Sequence, residues 1–223
     1  MSHALMEGAV LHLIEAEKLC YAESLEVLSP DEILRAKSFV FTADRERWAK
    51  VRAEVKSILS RHLDCSPAEL KWDTHKFGKP ALKNDPISFS LSHSKKLSTL
   101  LVCKKGPVGV DIEQRARGCD LMEAVDSFCH PRELAALPEN NPGLKLIDIW
   151  TAKEAFLKAL GTGFTQPPEE IYLDGVYVVG PLPGLSELHL LRPTHPILSD
   201  YTIAAAVPRD IHYIEICEHR HLP

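Results

Sequence analysis

No stretch of the 223 residues is apolar for long enough to span a bilayer. The most apolar runs, such as Leu97 to Cys103, fall far short of the roughly 18 residues that a membrane helix needs. A basic n-region is missing from the N-terminus, and Glu7 interrupts its first apolar stretch, so no secretory signal is expected. The six cysteines, at 20, 65, 103, 119, 129 and 217, include no C-x-x-C pair. In a chain of this length that argues against a disulfide framework and predicts reduced thiols in a cytoplasmic protein. Positive charge is not in excess either, since 26 Lys and Arg stand against 31 Asp and Glu for a net charge of -5. Nothing global marks a nucleic-acid binder, so any anion site must be a local cluster. What is present, 45% hydrophobic and 26% charged residues, describes a globular protein. It has chain enough for one large domain or two halves of roughly 100 residues each.

Residues 9 to 15 read as a first strand. Ser29, Pro30 and Glu32 carry the signature of a capped helix start, with the acceptor, the proline and the glutamate in their usual places. Thr42 is placed to cap a longer helix to about Leu63, on which Trp48, Val51, Val55, Ile58, Leu59 and Leu63 recur at helical spacing. Ser66 to Glu69 repeats the capping signature. The period then changes from 3.6 to 2: Ile87, Phe89 and Leu91 share one face of a strand and Ser88, Ser90 and Ser92 the other, the pattern of a half-buried strand. A second strand follows at 98–103 and a third at 108–113. Helices are expected from Cys119 to about Leu137, broken near Pro131, and from about Leu144 to Leu160, ended by Gly161. Half of the sixteen prolines lie beyond residue 166, where short strands with proline-rich connections fit best. The fold class expected is α+β, with two similar lobes: 1–105, and 106–223.

Asp111 and Glu113 alternate on the third strand, which puts their Cα atoms roughly 6.5 Å apart on one face. Two such oxygen donors suit an octahedral Mg²⁺ that also takes ligands from a phosphate; a solvated polar edge is the plainer alternative. Trp150, Glu154 and Lys158 follow at i, i+4 and i+8 on one helix stripe, offering a further carboxylate and an ammonium. Lys79 sits in the turn Phe77-Gly78-Lys79-Pro80, able to meet a phosphate as a point charge. Ser92 and His93 leave the end of the serine-faced strand together. Arg35 and Arg47, on the two helices after Ser29, are candidate anion contacts. Cys217, His219 and His221 alternate at the end of the chain and offer zinc at most three of its usual four ligands.

Taken together, Phe77-Gly78-Lys79-Pro80, Phe89-Ser90-Leu91-Ser92-His93-Ser94, Gly109-Val110-Asp111-Ile112-Glu113 and Trp150-Thr151-Ala152-Lys153-Glu154-Ala155-Phe156-Leu157-Lys158, with Gly161 and Gly163, resemble the 4'-phosphopantetheinyl transferases of the larger, surfactin-synthetase type. The resemblance runs from about Ser29 to Phe164. It implies a pseudo-dimeric fold with coenzyme A phosphate contacts in 1–105 and the metal and catalytic residues in 106–223. It further implies that Asp111, Glu113 and Glu154 hold Mg²⁺ at the coenzyme A pyrophosphate, and that Lys158 lies beside the transferring group. For the catalytic proton, Glu154 is the first candidate to take it from the serine, directly or through a metal-bound water, and Lys158 is the alternative, as base or as proton donor to the leaving phosphate. Arg35, Arg47, Lys79, Ser92 and His93 would bind the coenzyme. Two departures stand out: Ser90 where the family often has asparagine, and Glu32 where some members have a lysine that meets the coenzyme.

The activity so implied is transfer of 4'-phosphopantetheine from coenzyme A to a serine of an acyl or peptidyl carrier protein, by a monomer, with no membrane or nucleic acid involved. A metal-dependent phosphodiesterase or nuclease would use a similar set of groups, but the acidic composition speaks against it. A non-catalytic coenzyme A or carrier-protein binding module would not need all three acidic candidates. The segment from Cys119 to Phe128, with Leu121, Met122 and Val125, is a candidate for an exposed apolar patch that meets the carrier.

Overall fold

A computed structural model of the chain describes residues 8–84, 86–163 and 166–219. The first strand, β1 (Ala9–Glu15), is followed by three helices, α1 (Tyr21–Val27), α2 (Pro30–Lys37) and α3 (Thr42–Leu63). At the head of α2 the Ser29 hydroxyl accepts from the Glu32 amide and Glu32 accepts from the Ser29 amide, the reciprocal box read from the sequence. The start of α3 differs by one residue. Phe41 is its N-cap and Thr42 its first helical residue, with no side-chain cap. The turn opened by Ser66 is a single 3-10 turn with its own box.

A short hairpin of β2 (Trp72–Thr74) and β3 (Pro80–Leu82) precedes β4 (Ser88–Ser94) and β5 (Leu97–Cys103). Next comes β6 (Gly109–Gln114). The helix expected from residue 119 is instead a series of 3-10 turns over Arg115–Ser127, followed by the one-turn α4 (Pro131–Leu134). Gly118 explains part of this, because it lies against Gly143 so closely that a Cβ would stand 2.2 Å from the Gly143 carbonyl oxygen. The segment follows that contact rather than its own helical period. The long α5 (Gly143–Leu160) ends at Gly161, which is left-handed at φ 69°. The remainder is short strands: β7 (Tyr172–Asp174), β8 (Tyr177–Val179), β9 (Leu188–Leu191), β10 (Tyr201–Pro208) and β11 (Ile214–His219).

The architecture is α+β. One sheet has the order β11-β1-β5-β4 and the other β6-β10-β9. Each contains a strand, then helical segments, then two strands of which the last inserts beside the first, so β1-β5-β4 and β6-β10-β9 repeat one topology with antiparallel pairing throughout. The final strand, β11, pairs parallel to β1; it therefore crosses the expected division between 1–105 and 106–223. Helix α3 covers one face of the first sheet through Val55, Ile58 and Leu59 against Ile14, Phe89, Leu100 and Val102. Helix α5 covers one face of the second through Ala152, Ala155 and Phe156 against Ala204, Ala206 and Leu190. The opposite faces meet in a common core of Leu11, Leu13, Leu101, Val110, Ile112, Ile203 and Val207. Aliphatic burial on this scale is the main favourable contribution to folding.

Candidate active site

The site forms where β4 meets β6. The serine face of β4 turns out to be buried: Ser90, Ser92 and Ser94 point toward the second sheet, while Leu91 on the other face is exposed. Alternation set the faces correctly, but both are largely covered: Ile87 and Phe89 pack beneath α3, only Leu91 and His93 at the far end are exposed, and the hydroxyls find partners inside the protein. Ser92 Oγ donates to Asp111 Oδ1 at 2.7 Å. Lys158 Nζ donates to that same carboxylate oxygen at 2.6 Å and to Ser92 Oγ at 3.1 Å. Glu113, two residues along β6, accepts from Ser94 Oγ at 3.0 Å and from Arg117 Nη1 at 2.8 Å.

The close packing of α5 on β6 depends on Gly109. A Cβ there would lie 1.9 Å from the Ala155 carbonyl oxygen and 2.4 Å from the Ala159 nitrogen. With no side chain between them, α5 carries Glu154 and Lys158 up to the carboxylates of β6. Glu154 makes no hydrogen bond or ion pair among the described residues. Burial, against the pull of Lys158 and helped by Asp111 and Glu113, pushes its carboxyl up to about 7. Burial likewise raises the Asp111 carboxyl, opposed by Lys158 and by the Ser92 hydrogen bond.

Among the described residues no three His, Cys, Asp or Glu side chains already converge as a metal cage. The groups nonetheless fit a hard divalent cation. Asp111 Oδ2 is buried with no hydrogen-bond partner, Glu154 is close enough to Asp111 and Glu113 for each to raise it, and the donors are oxygen only. Lys158 supplies the neutralising charge at Asp111.

Lys79 donates to the Val108 carbonyl at 2.9 Å. It lines a cleft of about 280 Å³ together with Phe77, Leu91, Leu157, Lys158 and Gly161. A second cleft of about 520 Å³, with Lys76 and Lys104 on its wall, shares Lys79 and Gly161 with the first. The remaining candidates lie outside this group. His93 is exposed, on the face of β4 opposite Ser92. Arg47 is exposed on α3 and paired with Asp44 at 2.9 Å; it lines a cleft of about 270 Å³ with Lys50, Lys95 and Lys96. Arg35 is exposed in the last turn of α2. The structure thus brings Ser92, Asp111, Glu113, Glu154, Lys158 and Lys79 together. Arg35, Arg47 and His93 remain on open surface.

Glu32 has a structural task. Besides capping α2, it accepts from Arg52 Nε at 2.6 Å and from Lys56 Nζ at 2.7 Å, which turns it toward α3. Two buried groups escaped the sequence reading. Lys153, only 1% exposed, ties α5 to Glu133 at 2.6 Å and to the Phe128 and Pro168 carbonyls. Its place beside Glu154 on the helix was visible, but not that it points the other way. His12 is buried between His62 and His219, a contact that spans 207 residues and has no local signal. His221 lies outside the described residues, and His219 is engaged with His12 and with Glu54.

Residues 107–206 match the family described as the 4'-phosphopantetheinyl transferase superfamily. The 4'-phosphopantetheinyl transferase HetI of a Nostoc species is 35% identical over 149 residues, which are 64% of this chain and 63% of that protein. A putative 4'-phosphopantetheinyl transferase of a Synechocystis species is 31% identical over 146 residues, 62% of this chain and 59% of its own. The 4'-phosphopantetheinyl transferase Sfp of Bacillus subtilis is 24% identical over 147 residues, covering 64% of each chain. The chain therefore spans a little under two thirds of the length of each of these relatives.

Proposed function

We propose that this chain, whose residues 107–206 match the 4'-phosphopantetheinyl transferase superfamily, moves the 4'-phosphopantetheine group of coenzyme A to a serine hydroxyl of an acyl or peptidyl carrier protein. The observation that carries the reading is the junction of β4, β6 and α5, where Ser92, Asp111 and Lys158 are hydrogen-bonded beside Glu113 and Glu154. Carboxylates and a lysine at the head of a basic cleft suit a pyrophosphate.

In the reaction the serine oxygen bonds to the β-phosphorus of coenzyme A while the bond to the 3',5'-ADP oxygen breaks. Asp111, Glu113 and Glu154 would hold Mg²⁺, which supplies charge neutralisation at the pyrophosphate when bound. Lys79 and Ser92 orient the phosphates in the cleft, and His93, Arg47 and Arg35 contribute positive charge toward the rest of the coenzyme. Glu154, the carboxylate with no hydrogen-bonded partner among the described residues, takes the proton of the attacking serine. Lys158 stabilises the charge that develops on the leaving phosphate. Met122, exposed among the 3-10 turns, offers the carrier an apolar contact, while Leu121 and Val125 pack against Phe128 and Leu146. The enzyme would act as a cytoplasmic monomer. Intact-mass analysis of an apo-carrier protein incubated with the chain, coenzyme A and Mg²⁺ tests the proposal. A gain of one phosphopantetheine mass supports it, and an unchanged carrier mass with coenzyme A demonstrably bound overturns it.

A further inference from the structure

Strand β6 pairs with β10 along one edge and presents its other edge to β4. An edge of this kind normally needs another strand, a covering element or water to satisfy its amides. Here the partners are hydroxyls. Val108 N donates to Ser88 Oγ at 3.2 Å, Val110 N to Ser90 Oγ at 3.1 Å and Gln114 N to Ser94 Oγ at 3.2 Å. Each pair is separated by 20 residues, so the two strands run parallel and the serines step along β6 two residues at a time. In that rhythm Ser92 would meet residue 112. It is diverted to the Asp111 carboxylate and Lys158 instead. The rungs on either side, at 110 and 114, bracket Asp111 and Glu113, and Ser94 adds a second bond by donating to Glu113 Oε2 at 3.0 Å.

We infer that Ser90 and Ser94 are positioning residues: their hydroxyls fix β6 against β4, and so hold Asp111 and Glu113 on the strand that Glu154 approaches, where the proposed divalent cation would bind. The inference rests on the proposed transferase reading for its cation and deepens it. Ser94 acts most directly, because one oxygen receives the backbone of Gln114 while its proton holds the carboxylate of Glu113. Loss of such an outer partner typically weakens metal binding by about tenfold or more. Ser88 is an internal control, since it makes the same kind of bond at Val108, just before β6 and outside the bracket.

The test uses calorimetric binding of Mn²⁺ as the probe, with coenzyme A present, and separately of coenzyme A without metal. Ser94→Ala is expected to weaken Mn²⁺ about tenfold and Ser90→Ala by a smaller factor, with metal-free coenzyme A binding within about twofold of the parent. Ser94→Thr, which keeps the hydroxyl, is expected to restore Mn²⁺ binding and serves as the second reading if Ser94→Ala folds poorly. Ser88→Ala should lose comparable thermal stability yet keep Mn²⁺ affinity. Parental Mn²⁺ affinity in folded Ser94→Ala, an equal loss in Ser88→Ala, or failure of Ser94→Thr to restore it would overturn the inference. Failure of the unaltered protein to bind Mn²⁺ would instead overturn the transferase reading on which it rests.

Discussion

Lys158 closes on Asp111: its ammonium stands 2.6 Å from a carboxylate that is almost fully buried, and Ser92 donates to the same oxygen. Burial raises the Asp111 carboxyl and the facing Lys158 ammonium opposes that rise, favouring the anion. Asp111→Asn removes the charge and leaves the volume. Turnover is expected to fall at least about a hundredfold, while thermal unfolding moves by no more than about 3 °C because a repulsive neighbour of Glu113 and Glu154 is lost along with the ion pair. A transfer assay beside differential scanning calorimetry checks both halves. Near-parental turnover would remove Asp111 from the site.

Glu154→Gln separates a proton acceptor from a metal ligand, because the amide keeps an oxygen donor but accepts no proton. Turnover at saturating Mg²⁺ is expected to drop about a hundredfold or more. At pH 8 the folded variant should be the more stable of the two, since a buried carboxylate next to Asp111 and Glu113 has been neutralised. Turnover close to the parent in a single-turnover assay would leave Glu154 at most a ligand and move the search for the base to Lys158.

The junction of helix and strand makes a purely steric claim. Gly109→Ala puts a methyl group 1.9 Å from the Ala155 carbonyl oxygen, a contact that backbone on both sides must move to relieve. Destabilisation of more than about 3 kcal/mol is expected, or a shift of Asp111 away from α5 with loss of metal binding. Denaturant unfolding reads the first and Mn²⁺ calorimetry the second; a variant unchanged in both would show that α5 is free to back away.

Residues 29, 66, 111, 113, 154, 158 and 161 were legible because caps, strand alternation and helical spacing are local, and the element that carries each one followed its own period. Two readings differ from the structure, and one residue went unread, for reasons that lie outside the segment. The 119–128 stretch yields its helix to the contact between Gly118 and Gly143. The alternation of β4 puts its serines on the polar side of a half-buried strand, and only the edge of β6 shows why Ser90, Ser92 and Ser94 are buried together. Lys153 and Lys158 share a helix and a motif, yet one is a 1% exposed crosslink to Glu133 and the other the site's ammonium. Their separation by five residues turns them to different sides, which spacing reveals, but which side meets the cleft is a tertiary fact.

His12 gives the pH dependence. Its Nδ1 stands 2.7 Å from His219 Nε2 and its Nε2 stands 2.8 Å from His62 Nε2, while His219 Nδ1 is 2.8 Å from Glu54 Oε1. A second proton on His12 would place a buried positive charge beside His62, His219 and Arg61. Burial first, then His219, His62 and Arg61, pulls the His12 imidazole down to about 2. Around it, α3 contributes Glu54, Arg61 and His62, β11 contributes Cys217 and His219, and the facing residue of β5 is the apolar Leu100. Between the unfolded value of 6.5 and this depressed one, the unfolded chain binds a proton that the folded chain refuses. The contribution is therefore intact above pH 6.5 and is lost as pH falls below it, at about 1.4 kcal/mol per pH unit for one proton. Since β11 is tied to β1 through this contact, that strand should be the first to lose hydrogen-exchange protection in acid. His12→Leu removes the titration, and its stability should fall less steeply from pH 6 to pH 5 than that of the parent, by about 1.4 kcal/mol. Urea unfolding of both proteins at those two pH values decides the matter, and equal slopes would mean that His12 accepts its proton without leaving the fold.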